Sequence, residues 1–211
     1  MKNMVFFDVD GTLNQTHLYA VPAYHHALQL RGRDTTDEDI YSIFGMSPPD
    51  ILVKFLGPDA TEEEIKSWRH DIKEAEFSRM EQVAAPFEGI PEALATLKEQ
   101  GCTLAICSNA YPEHILNVLK VIGLTDCFDV IGSLNIGNNK VETMKNLMAQ
   151  YQPDHACLVG DRLFDVEAAD AAGIPSIGCL YGYAPEEAQQ ATVAVTSPQE
   201  IPAAVEELFS N

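Results

Sequence analysis

Residues 4–13, MVFFDVDGTL, decide the fold of this 211-residue chain. Four consecutive apolar residues lead directly into acidic residues and Gly11, which indicates a strand buried on both faces that ends in a turn. Strands of this kind occur in parallel sheets that are covered by helices on both sides. The stretch therefore predicts the first strand of an α/β core, with Asp8 and Asp10 at its carboxyl end.

From Gly89 onwards, helical and strand patterns alternate regularly. A helix is predicted at 90–100, with Pro91 in its first turn and Gly101 after its end. Such alternation is typical of a doubly wound parallel sheet with right-handed crossovers. The further predicted strands are 103–107, 130–131, 156–159 and 176–179, and the further predicted helices are 113–122, 142–151 and 166–172.

The segment between the first strand and Gly89 breaks this alternation, because it contains no convincing strand. Thr61 and Glu64 form a capping box that opens a long helical pattern. Shorter helical patterns precede it at 23–30, 38–44 and 50–56.

The chain is therefore expected to have two parts. A core is predicted from residues 1–15 and 85–211, and an all-helical cap is predicted over 16–84. The hinges between them are expected near 14–16 and 85–87.

Composition and charge narrow the class of partner. The chain has 13 Lys and Arg against 32 Asp and Glu, a formal net charge of −19. Nucleic acids and anionic membrane surfaces need a basic protein face, so neither is an expected partner. A small anionic substrate remains compatible, since one metal ion and one lysine can reverse the local sign. No apolar run approaches the ~18 residues of a membrane span, and a cytoplasmic protein is expected.

Polar residues with useful chemistry cluster at the predicted strand ends. In an open parallel sheet, ligands bind outside the carboxyl ends of the strands. Several separate strand ends or nearby loops therefore deliver acids, a hydroxyl and an ammonium to one edge. These residues are Asp8, Asp10, Ser108, Asn109, Lys140, Asp161 and Asp165.

This set of groups suits phosphoryl transfer. Carboxylates and carbonyl oxygens are the ligands of Mg²⁺, which in turn attracts phosphate. A hydroxyl, a backbone N–H and a lysine can neutralise the phosphoryl oxygens, where transition-state charge resides. Asp8 and Asp10 point to the same side of an extended chain because they are two residues apart. One can then act as the nucleophile and the other as the acid and base.

Four sequence motifs strengthen this interpretation. The segment 8–13 (DVDGTL), Ser108-Asn109, Lys140 and the 160–165 segment (GDRLFD) resemble, in order, the motifs of the haloacid dehalogenase-like hydrolase superfamily. The similarity spans the whole chain and is strongest to the phosphoglycolate phosphatase and β-phosphoglucomutase branch. It implies a Rossmann-like core, an α-helical cap inserted after the first motif, and Mg²⁺-dependent phosphoryl transfer.

The resemblance also implies roles for the acidic residues. Asp8 would be the nucleophile and a metal ligand. Asp10 would be the general acid and base, and its backbone carbonyl would also bind the metal. Asp161 would be the third ligand that the protein supplies to the metal.

The other motif residues would act on the phosphate. Ser108 and the Asn109 N–H would hold it, and Lys140 would pair with it and with Asp8. Asp165 would orient Lys140 or a metal-bound water. Two departures stand out, because many relatives have Asp where this chain has Asn14, and many follow the lysine with Pro rather than Val141.

Two features of the cap are candidates for substrate recognition. Gly45-Met46-Ser47 occupies the place where relatives present a specificity loop, so Gly45 and Ser47 are candidate substrate-binding residues; the alternative is a plain helix–helix turn. His17, near the first hinge, is a weaker candidate.

The favoured function is a Mg²⁺-dependent phosphatase that hydrolyses a small phosphorylated metabolite, phosphoglycolate-like or a sugar phosphate, through an aspartyl-phosphate. A phosphomutase of the β-phosphoglucomutase type uses the same motifs and is the main alternative. A non-catalytic phospho-acceptor module is a third interpretation, although such a module needs neither Asp10 nor a cap.

Overall fold

The computed structural model describes residues 2–210, and their core is a six-stranded parallel sheet. The strand order is β3-β2-β1-β4-β5-β6. The strands are β1 (Asn3–Phe7), β2 (Thr103–Cys107), β3 (Val130–Gly132), β4 (His155–Gly160), β5 (Ser176–Cys179) and β6 (Val193–Val195).

The first strand lies in the middle of this sheet, as its apolar run predicts. Phe6 of β1 lies opposite Ala105 of β2 on one side and Leu158 of β4 on the other. All three side chains are fully buried. The strand order changes direction beside β1, and this is where α/β sheets of this kind open a crevice for ligands.

The segment between β1 and Gly89 is helical, as predicted. It forms α1 (His17–Gln29), α2 (Asp37–Tyr41), α3 (Pro48–Leu56) and α4 (Glu62–Val83). The predicted capping box opens α4, since the Thr61 hydroxyl accepts a hydrogen bond from Glu64 N (3.3 Å) and Thr61 N donates to the Glu64 carboxylate (2.8 Å). The helix α1 starts six residues earlier than predicted. Pro22 lies inside this additional part of the helix, although a proline cannot donate a backbone hydrogen bond there.

Helices on both faces of the sheet complete the core. They are α5 (Ile90–Glu99), α6 (Pro112–Val121), α7 (Lys140–Tyr151), α8 (Leu163–Ala172), α9 (Pro185–Ala188) and α10 (Ile201–Ser210). The architecture is thus a doubly wound, Rossmann-like parallel sheet with an inserted helical cap. The last strand and the last two helices have no counterpart among the sequence-based predictions.

The two connections between core and cap run side by side. Gln15 N donates to Ala85 O and Phe87 N donates to Leu13 O, both at 3.0 Å. Asn14, the departure from the usual Asp, donates from its side chain to Thr16 Oγ1 and to the Tyr19 hydroxyl, each at 2.9 Å. These contacts lie at the positions expected for hinges, and hinge motion remains a prediction.

The cysteines, all of which are among the described residues, form no disulfide bond. Four of the five are buried, and Cys127 is partly exposed. Among the helices within residues 2–210, none combines the length and the apolar character needed to traverse a bilayer.

Candidate active site

Asp8 occupies the carboxyl end of β1 at the crevice. Its backbone N–H donates to Val159 O at 2.9 Å, which extends the sheet pairing by one residue. Its side chain is 1% exposed. Oδ1 accepts a hydrogen bond from Lys140, whereas Oδ2 is buried and has no partner among the described residues. One carboxylate oxygen is therefore left for a group that approaches through the crevice.

Lys140 joins two of the acids. Its Nζ lies 2.7 Å from Asp8 Oδ1 and 2.7 Å from Asp165 Oδ1, and its side chain is 2% exposed. The residue can reach this far because α7 begins at Lys140, capped by the Asn139 side chain, which accepts from Glu142 N at 2.9 Å. Val141, in place of the usual Pro, does not prevent this placement.

Burial sets the ionisation of this pair. Burial raises the pKa of Asp8 to about 7, against the lowering effect of Lys140. Burial by itself lowers the pKa of Lys140, but the carboxylates of Asp165 and Asp8 outweigh it and raise that pKa above its ordinary value. Lys140 therefore remains a buried cation, whereas Asp8 changes its charge near neutral pH.

Asp161 completes a cluster of three acids. Its carboxylate accepts from the Thr12 hydroxyl (3.2 Å) and from Tyr183 N (2.8 Å). Carboxylate oxygens of Asp8, Asp161 and Asp165 lie within 4.8 Å of one another. Burial and then the charges of its two acidic neighbours raise the pKa of Asp161 well above its ordinary value.

This cluster fits a divalent cation. Three buried carboxylates face a single lysine, and Asp8 Oδ2 still lacks a partner among the residues that the structure describes. Hard oxygen donors that are close together and incompletely neutralised are the ligand set that Mg²⁺ prefers. Asp165 is in addition committed to Lys140 and to Arg162 N, which donates to its Oδ2 at 3.0 Å. Its position supports the expected role of orienting Lys140.

The Asp10 carboxylate has contacts of its own outside this cluster. Its Oδ1 accepts from the Thr16 hydroxyl at 2.6 Å, and its Oδ2 lies 3.6 Å from Nε2 of His114 on α6. Burial raises the pKa of Asp10, but His114 and then Thr16 outweigh this effect, so the pKa is lowered. Burial lowers the pKa of His114, and Asp10 more than compensates, raising it to about 9. The sequence-based interpretation gave His114 no role.

The second motif contacts the cap. The Ser108 hydroxyl accepts from Ala110 N at 3.2 Å. The Asn109 side chain donates to Gly45 O at 2.9 Å, and its Oδ1 is buried without a partner among the described residues. Asn109 therefore links the end of β2 to the cap, in addition to its expected role at the phosphate.

The two candidate residues of the cap loop, Gly45 and Ser47, have different positions in the structure. Gly45 lines the cavity between cap and core. Ser47 is instead the N-cap of α3, since its hydroxyl accepts from Asp50 N at 3.4 Å and donates to Asp50 Oδ2 at 2.5 Å. Ser47 does not line the cavity, so this geometry favours the helix–helix-turn alternative for that residue. His17 also lies outside the cavity lining, with Nδ1 3.0 Å from the Tyr183 hydroxyl.

A cavity of about 390 Å³ lies between the cap and the core. Asp10, His114 and Asn109 contribute its core side. Most of the cap side is apolar or aromatic and includes Trp68, a buried residue of α4. The cavity therefore offers a mainly apolar space that has Asp10 and His114 on one side.

Gly11 holds the first motif against Asp161. Its φ is +90°, and a Cβ added to it would overlap the Asp161 carboxylate. We expect Gly11→Ala to destabilise the protein by about 1–3 kcal/mol through backbone strain. We also expect it to lower turnover by about 10²-fold, because Asp161 is displaced.

Gly32→Ala is the matched control for this prediction. Gly32 has φ +63°, and a Cβ added to it would have no neighbouring atom within 4 Å, so this variant reports the conformational strain alone. Urea unfolding and phosphate release are measured for both variants. Equal activity of the two variants would show that the contact with Asp161 is unimportant.

Comparison with known proteins places this chain in a family. Residues 5–179 match the family described as haloacid dehalogenase-like hydrolase. The match covers most of the chain, and the chain belongs to the haloacid dehalogenase-like hydrolase family. The resemblance carried by the four motifs is thereby confirmed.

The relatives carry several different names. Tyrosine-protein kinase PtkA of Mycobacterium tuberculosis is 28% identical over 186 residues, which are 85% of this chain but only 62% of PtkA, less than two thirds of its length. Pyrophosphatase PpaX of Halalkalibacterium halodurans is 28% identical over 193 residues (86% of this chain, 84% of PpaX). Phosphoglycolate phosphatase of Mesorhizobium japonicum is 26% identical over 194 residues (86% and 84%).

One solved structure illustrates the shared fold. β-Phosphoglucomutase from Clostridium difficile superimposes with a TM-score of 0.83 at 21% identity, covering 100% of both chains. At this identity the similarity establishes the fold alone.

Proposed function

We propose that the protein is a Mg²⁺-dependent phosphatase that hydrolyses a small phosphate monoester through an aspartyl-phosphate on Asp8. One observation carries the proposal. Asp8 presents a buried carboxylate oxygen without a partner among the described residues, while Lys140 holds its other oxygen at 2.7 Å, and Asp161 and Asp165 lie beside it. An oriented carboxylate with adjacent positive charge is what attack on a phosphate ester requires.

Asp8, Asp161 and the backbone carbonyl of Asp10 would hold Mg²⁺. When bound, the cation supplies positive charge that keeps Asp8 ionised and screens it from the phosphate. In the first step an Asp8 oxygen forms a bond to phosphorus while the bond from phosphorus to the ester oxygen breaks. Lys140 and Ser108 contact the phosphoryl oxygens during this step.

Asp10 would move the protons. The protonated His114 beside it, whose pKa is raised to about 9, is the source of the proton that Asp10 passes to the departing alcohol oxygen, and Asp10 later takes one from the water that cleaves the aspartyl-phosphate. The position of Asp10 supports this role, because it lies at the cavity, held by Thr16 and beside His114. Asp8 is then released as a carboxylate together with inorganic phosphate.

Phosphomutase activity remains the alternative, and one measurement separates it from hydrolysis. A phosphatase releases inorganic phosphate continuously and in proportion to the ester consumed, whereas a mutase returns the phosphoryl group to its product. The panel consists of phosphoglycolate, sugar phosphates, pyrophosphate and p-nitrophenyl phosphate, each with Mg²⁺ and with EDTA. Continuous, Mg²⁺-dependent release supports the proposal, and isomerisation of a sugar phosphate without release would replace it with a mutase.

We expect Asp161→Asn to raise the Mg²⁺ concentration for half-maximal activity by at least about tenfold, because a ligand carboxylate is lost. Mg²⁺ binding followed by calorimetry gives a second readout that does not depend on turnover. Asp170→Asn is the control, since Asp170 is an exposed residue on the neighbouring α8. Unchanged Mg²⁺ affinity in Asp161→Asn would remove Asp161 from the metal site.

A further inference from the structure

The cavity beyond Asp10 has walls that do not suit a strongly polar substrate. Its cap side is formed largely by apolar and aromatic side chains, among them Tyr24, Phe44, Leu52 and Trp68. A sugar or a second phosphate loses its hydration on entering such a space and needs a polar partner for each buried group. These walls instead favour a hydrocarbon or an aromatic ring.

One carboxylate interrupts the apolar wall. Glu76 of α4 lines the cavity, and within residues 2–210 its side chain forms no hydrogen bond or ion pair. Its charge is felt by Tyr19 and Tyr24, whose pKa values are raised by burial and additionally by Glu76 and Asp10. Glu76 and Asp10 thus act on the same two tyrosines, one of which, Tyr24, also lines the cavity.

No cation among residues 2–210 forms an ion pair with Glu76. Burial raises the pKa of Glu76 to about 7, with His114 opposing the shift and Asp10 adding to it. His114 itself is beside Asp10, at 3.6 Å. Lys73, a further cation of the lining, forms an ion pair with Glu113 at 2.8 Å.

Arg69 is the remaining basic residue of the lining, and it is exposed. The lining thus holds two carboxylates, Asp10 and Glu76. Its cations His114 and Lys73, by contrast, already lie beside carboxylates. An anionic substituent of the substrate would be repelled by the two carboxylates in this partly buried site. Phosphoglycolate and pyrophosphate, which carry negative charge close to the scissile bond, are therefore poor matches for this cavity.

We infer that the substrate, given the phosphatase activity proposed above, is a phosphate monoester of a mainly apolar or aromatic alcohol that carries an amine, with Glu76 as the residue that binds the amine. An ammonium group forms a charge-assisted hydrogen bond with the carboxylate and so satisfies its unfilled acceptors. Glu76 is in this respect a specificity-determining residue of the cap.

Three probes of nearly equal size test this inference. They are phenyl phosphates with a 2-aminoethyl, a propyl or a carboxymethyl group in the para position, so they differ chiefly in charge. We expect kcat/KM to fall in that order, with the amine preferred to the carboxylate by at least about tenfold, the effect of one charge-assisted hydrogen bond. Equal values, or a preference for the carboxylate, would overturn the inference.

A variant assigns the preference to its residue. Glu76→Gln is expected to reduce the ratio of kcat/KM between the amine and carboxylate probes by about tenfold, because the amide keeps the shape but not the charge. Glu74→Gln, on the exposed side of the same helix, is the matched control and should leave this ratio unchanged. An unchanged ratio in Glu76→Gln would show that another group selects the amine.

The outcomes also separate this inference from the proposed function. If neither the three probes nor any compound of the earlier panel releases phosphate with Mg²⁺ present, the phosphatase proposal itself fails. If only phosphoglycolate, sugar phosphates or pyrophosphate are hydrolysed, the phosphatase proposal stands and this inference fails. If all three probes are hydrolysed but the carboxylate probe is preferred and Arg69→Gln abolishes that preference, the enzyme is a phosphatase for anionic esters. The wild-type order decides the question even if Glu76→Gln does not fold.

Discussion

Asp8→Asn is expected to lower phosphate release by at least about 10³-fold while leaving the fold intact, because the attacking oxygen is replaced by a poorly nucleophilic amide. Stability should change little. Burial raises the pKa of Asp8 to about 7, so the folded protein gains little from its charge near neutral pH, and a neutral side chain of the same shape is accommodated. Urea unfolding and the rate with p-nitrophenyl phosphate are the measurements.

An acid-quench experiment identifies the role of Asp8 more directly. Covalent phosphate should be recovered on the wild-type chain and be absent from Asp8→Asn. Asp59→Asn, at an exposed position in the cap, serves as the control for the substitution itself. A tenth of wild-type activity in Asp8→Asn would exclude Asp8 as the nucleophile.

Lys140→Met should have the largest effect on stability. Its ammonium is the group that neutralises Asp8 and Asp165, each at 2.7 Å, and all three side chains are at most 2% exposed. Removal of one partner from a buried ion pair leaves an uncompensated charge and costs about 3–5 kcal/mol. The free energy of unfolding in metal-free buffer is expected to fall by this amount, and activity is expected to fall at least about 10²-fold.

A matched control and a double variant test the cause of this effect. Lys145→Met changes an exposed lysine on the same helix and should be close to neutral. Asp165→Asn combined with Lys140→Met should be less destabilised than the sum of the single changes, since one of the two unpaired charges is gone. If Lys140→Met unfolded at the wild-type urea midpoint, the Lys140 charge would make no contribution to the free energy of unfolding.

Residues at strand ends were predictable because the topology places them. A parallel sheet brings the carboxyl ends of its strands to one edge, whatever the details of packing. Asp8, Asp161 and Lys140, which come from three of the four motifs, accordingly lie close together. Lys140 is the first residue of α7, and Asn139 is the N-cap that sets this helix start.

Residues on helix faces were not predictable in the same way. Glu76 and His114 reach the cavity because α4 and α6 present one particular side to it, and that rotation depends on tertiary packing. Neither belongs to a motif, and each resembles an ordinary charged residue of an amphipathic helix. Ser47 is singled out by the sequence as a candidate substrate-binding residue. In the structure it caps α3 through Asp50, and the sequence alone does not distinguish these two roles.

The cap loop between α2 and α3 is joined to the core through main-chain oxygens. Asn109 donates to Gly45 O, and the Arg162 guanidinium donates to Phe44 O. Every amino acid carries such an acceptor, so these two links survive replacement of the loop side chains. Position 45 is restricted by its backbone, because its φ is +84° and a Cβ there would lie 3.1 Å from Arg162 Cγ. Phe44 is restricted by its burial. Less buried side chains of the loop, such as Met46, can thus diverge without breaking either link between the cap and the core.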